Sequence, residues 1–158
     1  MKQKENAFER QFGWFDLVGN YYYMNRVMIF KFAAGVEPPE EFRDTAPGVE
    51  LGNETMQKMA DNLLKGALEK DVEQVEALNM KQIGEQTERG GGDGSMRYVS
   101  LRNTPFDPRY LKVIRRTLRD AMWYVGSGKH NGERFIPANL YAITDDGCGA
   151  LLLPMRLK

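Results

Sequence analysis

The chain has 158 residues, 42% hydrophobic and 28% charged, a composition typical of a soluble protein that forms one domain. Its 22 Lys and Arg balance 22 Asp and Glu, so a zero formal net charge excludes strong overall attraction to nucleic acid or membranes. The single cysteine excludes an internal disulfide, and the N-terminus lacks the apolar core of a signal peptide, which together predict a cytoplasmic, intracellular protein.

The N-terminal segment, residues 1–35, is rich in aromatic residues. Residues 6–18 carry apolar side chains at helical spacing after an Asn cap, which predicts a short amphipathic helix or arm. Residues 21–33 are apolar on both alternating faces and predict a buried strand, with a buried helix as the alternative. Because aromatic side chains dominate interfaces, four of them are candidates for docking on another subunit, core packing being the alternative. They are Phe8, Phe12, Trp14 and Phe15.

Residues 36–52 contain three prolines and several acids and predict a loop. Residues 53–86 follow helical spacing from a cap at Asn53 and predict one long helix. At 1.5 Å per residue that helix would reach about 50 Å, more than a domain of this size spans. We therefore expect it either to bend near residues 69–74 or to extend to a partner.

The stretch ERGGGDGS, residues 88–95, resembles a phosphate-binding loop only superficially. A Walker loop needs Lys and Ser or Thr after its last glycine, and Arg97 stands where the third glycine of a dinucleotide-binding pattern belongs. The glycines therefore predict the end of a helix and a mobile connection to a strand at residues 96–102. A weak anion site between the flanking Arg89 and Arg97 stays open as the alternative. GSGKH at 126–130 fails as a nucleotide loop in the same way, because His130 replaces the residue that would hold magnesium.

Residues 107–125 predict an Arg-rich amphipathic helix, with Asp107 as its cap and Pro108 in its first turn. One stripe of the helical wheel is apolar and packs in a core. The opposite face is basic, and its candidate partner-binding residues are Arg109, Lys112, Arg116, Arg119 and Trp123, with Arg115 at the border. This face could pair with the acidic half of the chain itself, bind an acidic protein, or bind phosphates and bases of nucleic acid.

The last segment predicts a hairpin, with strands at 139–144 and 150–156 around the turn sequence DDGCG. Its turn contains Asp145, Asp146 and the only cysteine, Cys148. These residues, together with the only histidine, His130, could form a small catalytic site. A turn favours the same Asp and Gly residues, so we assign no catalytic residue, no cofactor and no metal ligand.

The charges are distributed unevenly along the chain. Residues 1–95 carry 11 Lys and Arg against 17 Asp and Glu, a net charge of −6, and residues 96–158 carry 11 against 5, a net charge of +6. Opposed halves can attract each other within one domain or head-to-tail between copies, and the basic half could instead be a binding face.

These features predict an α+β fold in a single domain, residues 1–158. Its small, mainly antiparallel sheet would contain residues 21–33, 96–102, 139–144 and 150–156 and would be covered by the helices of 53–86 and 107–125. The expected function is that of a non-enzymatic interaction or assembly protein, a homo-oligomeric structural subunit such as a virion component. A nucleic-acid-binding protein that uses residues 109–123 is the alternative. An enzyme built around Cys148, His130, Asp145 and Asp146 is the third hypothesis.

Overall fold

The structure is a computed structural model that describes residues 11–43, 54–65, 72–127, 129–132, 134–136 and 138–157. Four helices lie in these ranges: α1 (Glu40–Arg43), α2 (Glu54–Lys65), α3 (Met80–Glu85) and α4 (Pro108–Thr117). The first six strands are β1 (Phe12–Phe15), β2 (Tyr21–Met24), β3 (Met28–Phe32), β4 (Val72–Val75), β5 (Glu88–Gly90) and β6 (Met96–Leu101). The other six are β7 (Thr104–Phe106), β8 (Met122–Gly126), β9 (Lys129–Asn131), β10 (Arg134–Ile136), β11 (Leu140–Ile143) and β12 (Gly149–Leu152).

Seven strands form one antiparallel sheet in the order β1-β2-β3-β12-β11-β8-β4. Strands from the beginning and the end of the chain meet at its centre, where β3 pairs with β12. Strands β5, β6 and β7 form a separate three-stranded sheet, and β9 pairs with β10 as a hairpin. The expected α+β fold is therefore wrong, because the described residues are mostly sheet and no long helix covers it.

Helices cover both faces of the large sheet. On one face, alternate side chains such as Phe30 and Trp123 join a core cluster that also contains residues of α1, α3, α4, β6 and β7. On the other face, α2 contributes the fully buried Ala60 to a smaller cluster. The Tyr22 hydroxyl donates a hydrogen bond to Asp61 of α2 at 3.1 Å, which ties that helix to the sheet. Because successive side chains of a strand point to opposite faces of the sheet, the large sheet packs against one core cluster on each face.

The long helix expected over residues 53–86 does not form. The described part of α2 extends to Lys65, and residues 66–71 lie outside the description. Strand β4 then pairs with β8, and α3 begins after Asn79. The Asn79 side chain accepts a hydrogen bond from the Gln82 amide, and the Gln82 side chain accepts one from the Asn79 amide, both at 2.9 Å. This reciprocal capping box starts a new helix at Asn79. Pairing with β8 overrides the local helical periodicity in residues 72–75.

The helix expected over 107–125 begins as predicted and ends early. Asp107 accepts a hydrogen bond from the Arg109 amide at 2.9 Å, and Pro108 occupies the first turn. The helix ends at Thr117 because residues 122–126 become β8, which pairs with both β11 and β4. Aromatic and β-branched side chains favour such a central strand.

The prediction of an N-terminal helix over 6–18 is also wrong for the described residues of that range, because residues 12–15 form β1. Residues 1–10 lie outside the description. The single strand expected over 21–33 is a hairpin, whose turn is stabilised by the Asn25 side chain accepting hydrogen bonds from the amides of Val27 and Met28. Within the loop expected at 36–52, residues 40–43 form α1, and residues 44–52 lie outside the description.

Two of the predicted elements are confirmed. Strand β6 lies within 96–102, and β11 and β12 form the C-terminal hairpin. The glycine stretch does not end a helix. Gly90 belongs to β5, which pairs with β6, and Gly91, Gly92 and Gly94 lie in the turn of this hairpin. Gly91 and Gly94 have φ values of 85° and 69°, a conformation that glycine adopts without steric cost.

Candidate interaction surfaces

The aromatic residues nominated at the N-terminus separate into core and surface. Trp14 is 3% exposed and stacks on Tyr22, with ring centroids 5.4 Å apart. Phe12 is partly buried against the smaller core cluster, which contains Trp14 and Tyr22. Phe8 lies outside the described residues. Phe15 is 51% exposed at the end of β1. Among the candidates that the structure describes, Phe15 therefore has the most exposed side chain and the most surface available to a partner.

The turn between β1 and β2 presents two apolar residues that sequence reasoning did not nominate. Leu17 is 92% exposed and Val18 is 74% exposed. Asp16 separates them from Phe15, so three exposed apolar residues occur within four positions at the tip of the hairpin. The sequence signal was available, since Asp, Gly and Asn at residues 16, 19 and 20 are turn-forming residues around an apolar pair.

Asp16 and Asn20 hold this tip in one conformation. Asp16 Oδ1 accepts hydrogen bonds from the amides of Val18 (3.0 Å) and Asn20 (2.9 Å), and Oδ2 accepts one from the Asn20 side-chain amide (2.8 Å). Asn20 Oδ1 also accepts a hydrogen bond from the Ala34 amide at 2.9 Å, which fixes the tip to the end of β3. Burial raises the pKa of Asp16, but these hydrogen bonds together outweigh it and leave the pKa below its ordinary value.

The basic residues of the predicted 107–125 helix are placed on two elements. Arg109, Lys112 and Arg116 lie on α4, and Arg119 lies in the turn that follows the helix. Trp123 does not belong to this surface, because it lies in β8 and is fully buried. The helical wheel placed it among the basic residues only because it assumed that the helix continued to residue 125.

Part of this basic surface is neutralised within the chain. Arg116 pairs with Glu41 at 3.2 Å, and Arg109 pairs with Asp107 at 2.7 Å. Arg102 of the β6–β7 turn pairs with Glu73 at 3.3 Å. The Arg116 and Arg102 pairs join the basic half of the chain to its acidic half. They therefore account for some of the charge split without any partner.

Two open grooves flank α4. The first has a volume of about 560 Å³ and lies between the helix and the β5–β6 hairpin, with Arg97, Arg109 and Lys112 among its lining residues. The second, of about 570 Å³, is lined by residues of α3 and by basic side chains near the end of α4. The basic side chains near the end of α4 are Arg115, Arg116 and Arg119, and Lys81 is contributed by α3. The basic surface is therefore concave on both sides of the helix.

Three residues of the enzyme hypothesis, Asp145, Asp146 and Cys148, lie in or beside the β11–β12 turn and line a groove of about 480 Å³. Cys148 is buried, and its sulfur accepts a hydrogen bond from the Ala33 amide at 3.3 Å. Burial raises the pKa of this thiol, which keeps it protonated and weakly nucleophilic at neutral pH. The side chain of His130 lies outside the described part of the chain, so its position relative to Cys148 is not described.

The prediction that Asp145 and Asp146 belong to a hairpin turn is confirmed. Both are exposed between β11 and β12, and the Gly147 amide donates a hydrogen bond to the Thr144 carbonyl at 3.3 Å. Asp146 accepts hydrogen bonds from the Thr144 hydroxyl and the Cys148 amide, which lower its pKa below the ordinary value. The carboxylate therefore acts within its own turn.

Among the described residues, no group of three or more His, Cys, Asp or Glu side chains is arranged to hold a metal ion. None of the helices within the described ranges is long and apolar enough to cross a membrane.

Comparison with family models, curated proteins and solved structures finds no match for this chain.

Proposed function

We propose that this protein is a non-enzymatic interaction protein that associates with further copies of itself, as a structural subunit of a larger assembly such as a virion. The observation that carries the proposal is the tip of the β1–β2 hairpin, where Leu17 and Val18 are exposed beside the half-exposed Phe15. Several exposed apolar side chains within one short turn are suited to a docking point.

The conformation of the tip supports binding. Hydrogen bonds to Asp16 and Asn20 fix the backbone of the turn before any partner arrives. An ordered surface loses little conformational entropy on association, so more of the gain from burying Leu17 and Val18 appears as affinity. Among the described strands, β1 is also the edge of the seven-stranded sheet, and edge strands are frequent sites of association.

The charge distribution favours a second copy as the partner. The two ion pairs between the halves use only part of the opposed charge, and Lys112 and Arg119 form no ion pair among the described residues. The acidic half of one copy can therefore attract the basic half of the next. Such a head-to-tail contact joins different surfaces and produces rings or filaments, as an assembly subunit requires.

The experiment removes the apolar tip without disturbing the hydrogen bonds that shape it. In L17S/V18S the backbone groups bonded to Asp16 remain, so the hairpin should fold. Losing two buried apolar side chains from an interface should cost about 3 kcal/mol, which corresponds to roughly 100-fold weaker self-association. Sedimentation velocity over a concentration series measures the dissociation constant for self-association, with the 18.1 kDa chain as the monomer.

The matched control is L153S/L157S, which removes two other exposed leucines that lie away from the hairpin tip. This control should associate as the parent does. A parent chain that stays monomeric at every concentration would contradict the proposal. So would a tip variant whose dissociation constant equals that of the parent.

A further inference from the structure

The groove between α4 and the β5–β6 hairpin has an excess of positive charge. Three of its lining residues are cationic, Arg97, Arg109 and Lys112, and Asp107 is the one carboxylate among the lining residues in the described part of the chain. The groove is open and has a volume of about 560 Å³, enough for a small polar group together with its water.

The strand β6 places Arg97 beside the helix. Arg97, Val99 and Leu101 alternate onto one face of the strand, and the latter two are buried in the core cluster that includes α4. Arg97 continues this face past the edge of the core, where it lines the groove. Arg97 therefore lines the same groove as the first turns of α4.

A second cation lies directly across from Arg97. In the antiparallel pair of β5 and β6, Arg89 is in register with Arg97, so both side chains occupy the same face. Like charges directly opposite each other in a sheet are destabilising. An anion bound beside this pair would relieve the repulsion.

The carboxylate of the groove does not neutralise these charges. Asp107 caps α4 through the Arg109 amide and pairs with the Arg109 guanidinium at 2.7 Å. Within the described part of the chain, neither Arg97 nor Lys112 forms an ion pair or a hydrogen bond through its side chain. Among the described residues, two cations of the groove therefore have no partner within the chain.

The site consists of side chains, not of the helix terminus. The Asp107 side chain already caps the N-terminus of α4, and Pro108 has no backbone N–H that could donate a hydrogen bond to a ligand. The hydroxyls of the groove are also engaged, since Thr87 donates to the Ile83 carbonyl at 2.6 Å and Ser95 donates to Asp93 at 2.6 Å. Recognition in this groove must therefore come from the cationic groups.

We propose that this groove binds a phosphate group, held between Arg97 and Lys112, with Arg109 at its rim. The planar guanidinium of Arg97 can donate two parallel hydrogen bonds to phosphate oxygens, and Lys112 adds a point charge. The phosphate can belong to a small phosphorylated molecule or to the backbone of a nucleic-acid strand. The inference does not depend on the apolar contact proposed for self-association, which lies at the tip of the β1–β2 hairpin, although Lys112 belongs to both the groove and the basic half of the chain.

The experiment measures binding of two probes, inorganic pyrophosphate and a single-stranded oligothymidylate, at one fixed ionic strength set with sodium chloride. Calorimetry serves for the first probe and fluorescence anisotropy for the second. Whichever probe the parent binds, the variant R97Q/K112Q should bind it at least about 30-fold more weakly, because two charge-assisted contacts are lost. The control R26Q/K58Q removes the same charge from exposed positions elsewhere and should bind as the parent does.

Each outcome decides the proposal. Binding of pyrophosphate that R97Q/K112Q weakens supports a small phosphorylated ligand, and binding of the oligonucleotide alone with the same loss supports a strand backbone. If the parent binds neither probe, or if the control loses as much affinity as the groove variant, the proposal is overturned. If the double variant does not fold, the single variant K112Q is used, because it changes only the surface of α4. Its affinity for the probe should be about 10-fold lower than that of the parent, and an unchanged affinity would overturn the proposal.

Discussion

Two turns at the same end of the seven-stranded sheet share one construction. In the β1–β2 turn, Asp16 accepts hydrogen bonds from the amides of Val18 and Asn20. In the β11–β12 turn, Asp146 accepts one from the amide of Cys148. Each turn is also held against the end of β3, the first through the Ala34 amide and the second through the Ala33 amide.

The two turns differ in what they present to solvent. The first exposes Leu17 and Val18, and the second exposes Asp145 and Asp146. An Asp-stabilised backbone is compatible with either set, so the conformation of the turn does not select its tip residues. Water solvates a charged tip favourably, whereas an apolar tip on an equally ordered turn is suited to a partner.

The largest expected effect comes from removing the ring beneath the apolar turn. Trp14 is buried and stacked on Tyr22, so Trp14→Ala should lower the free energy of unfolding by about 3–4 kcal/mol. Urea denaturation measures the loss. Trp14→Phe keeps an aromatic ring and should cost clearly less. A loss below about 1 kcal/mol for the alanine variant would show that the hairpin does not depend on this ring.

Asp16→Ala tests whether order in the apolar turn matters for association. The variant loses the hydrogen bonds of the turn and should be destabilised by about 1–2 kcal/mol, with weaker self-association although Leu17 and Val18 are unchanged. Asp146→Ala is the matched variant in the charged turn, and it should lose stability without losing association. Denaturation and sedimentation velocity separate the two effects. Unchanged association of Asp16→Ala would mean that turn order is irrelevant to binding.

Acid should weaken both turns. The pKa values of Asp16 and Asp146 are lower in the folded state than the ordinary value of about 3.9, so their contribution to stability is present above that value. It is lost as the pH falls through the lower folded-state values. The free energy of unfolding should therefore decrease below about pH 4, and the decrease should be smaller in Asp16→Asn. An identical acid loss in parent and variant would contradict this assignment.

The smallest effect is expected at the tip of the charged turn. Asp145 is exposed and no hydrogen bond of its side chain is described, so Asp145→Ala should change the free energy of unfolding by less than about 0.5 kcal/mol. Self-association should also stay at the parent value. Weaker association of this variant would mean that the second turn takes part in an interface as well.

Local signals in the sequence were sufficient where short-range contacts decide structure. The cap at Asp107 with Pro108, the strand at residues 96–102 and the C-terminal hairpin are found where they were predicted. The capping box of Asn79 and Gln82 was equally readable, and would have divided the helix expected over 53–86. Caps and turns depend on residues a few positions apart, so a single sequence contains them.

Pairing between distant segments decided the rest. Residues 72–75 and 122–126 have helical periodicity in the sequence, yet they form neighbouring strands because each supplies the backbone partners that the other needs. The same pairing buries Trp123 and removes it from the basic surface. Arg97 faces the groove beside Lys112 only because β6 packs on α4. A sequence determines its charges and its turn residues by itself, whereas which of them share a surface depends on long-range contacts that only the tertiary structure forms.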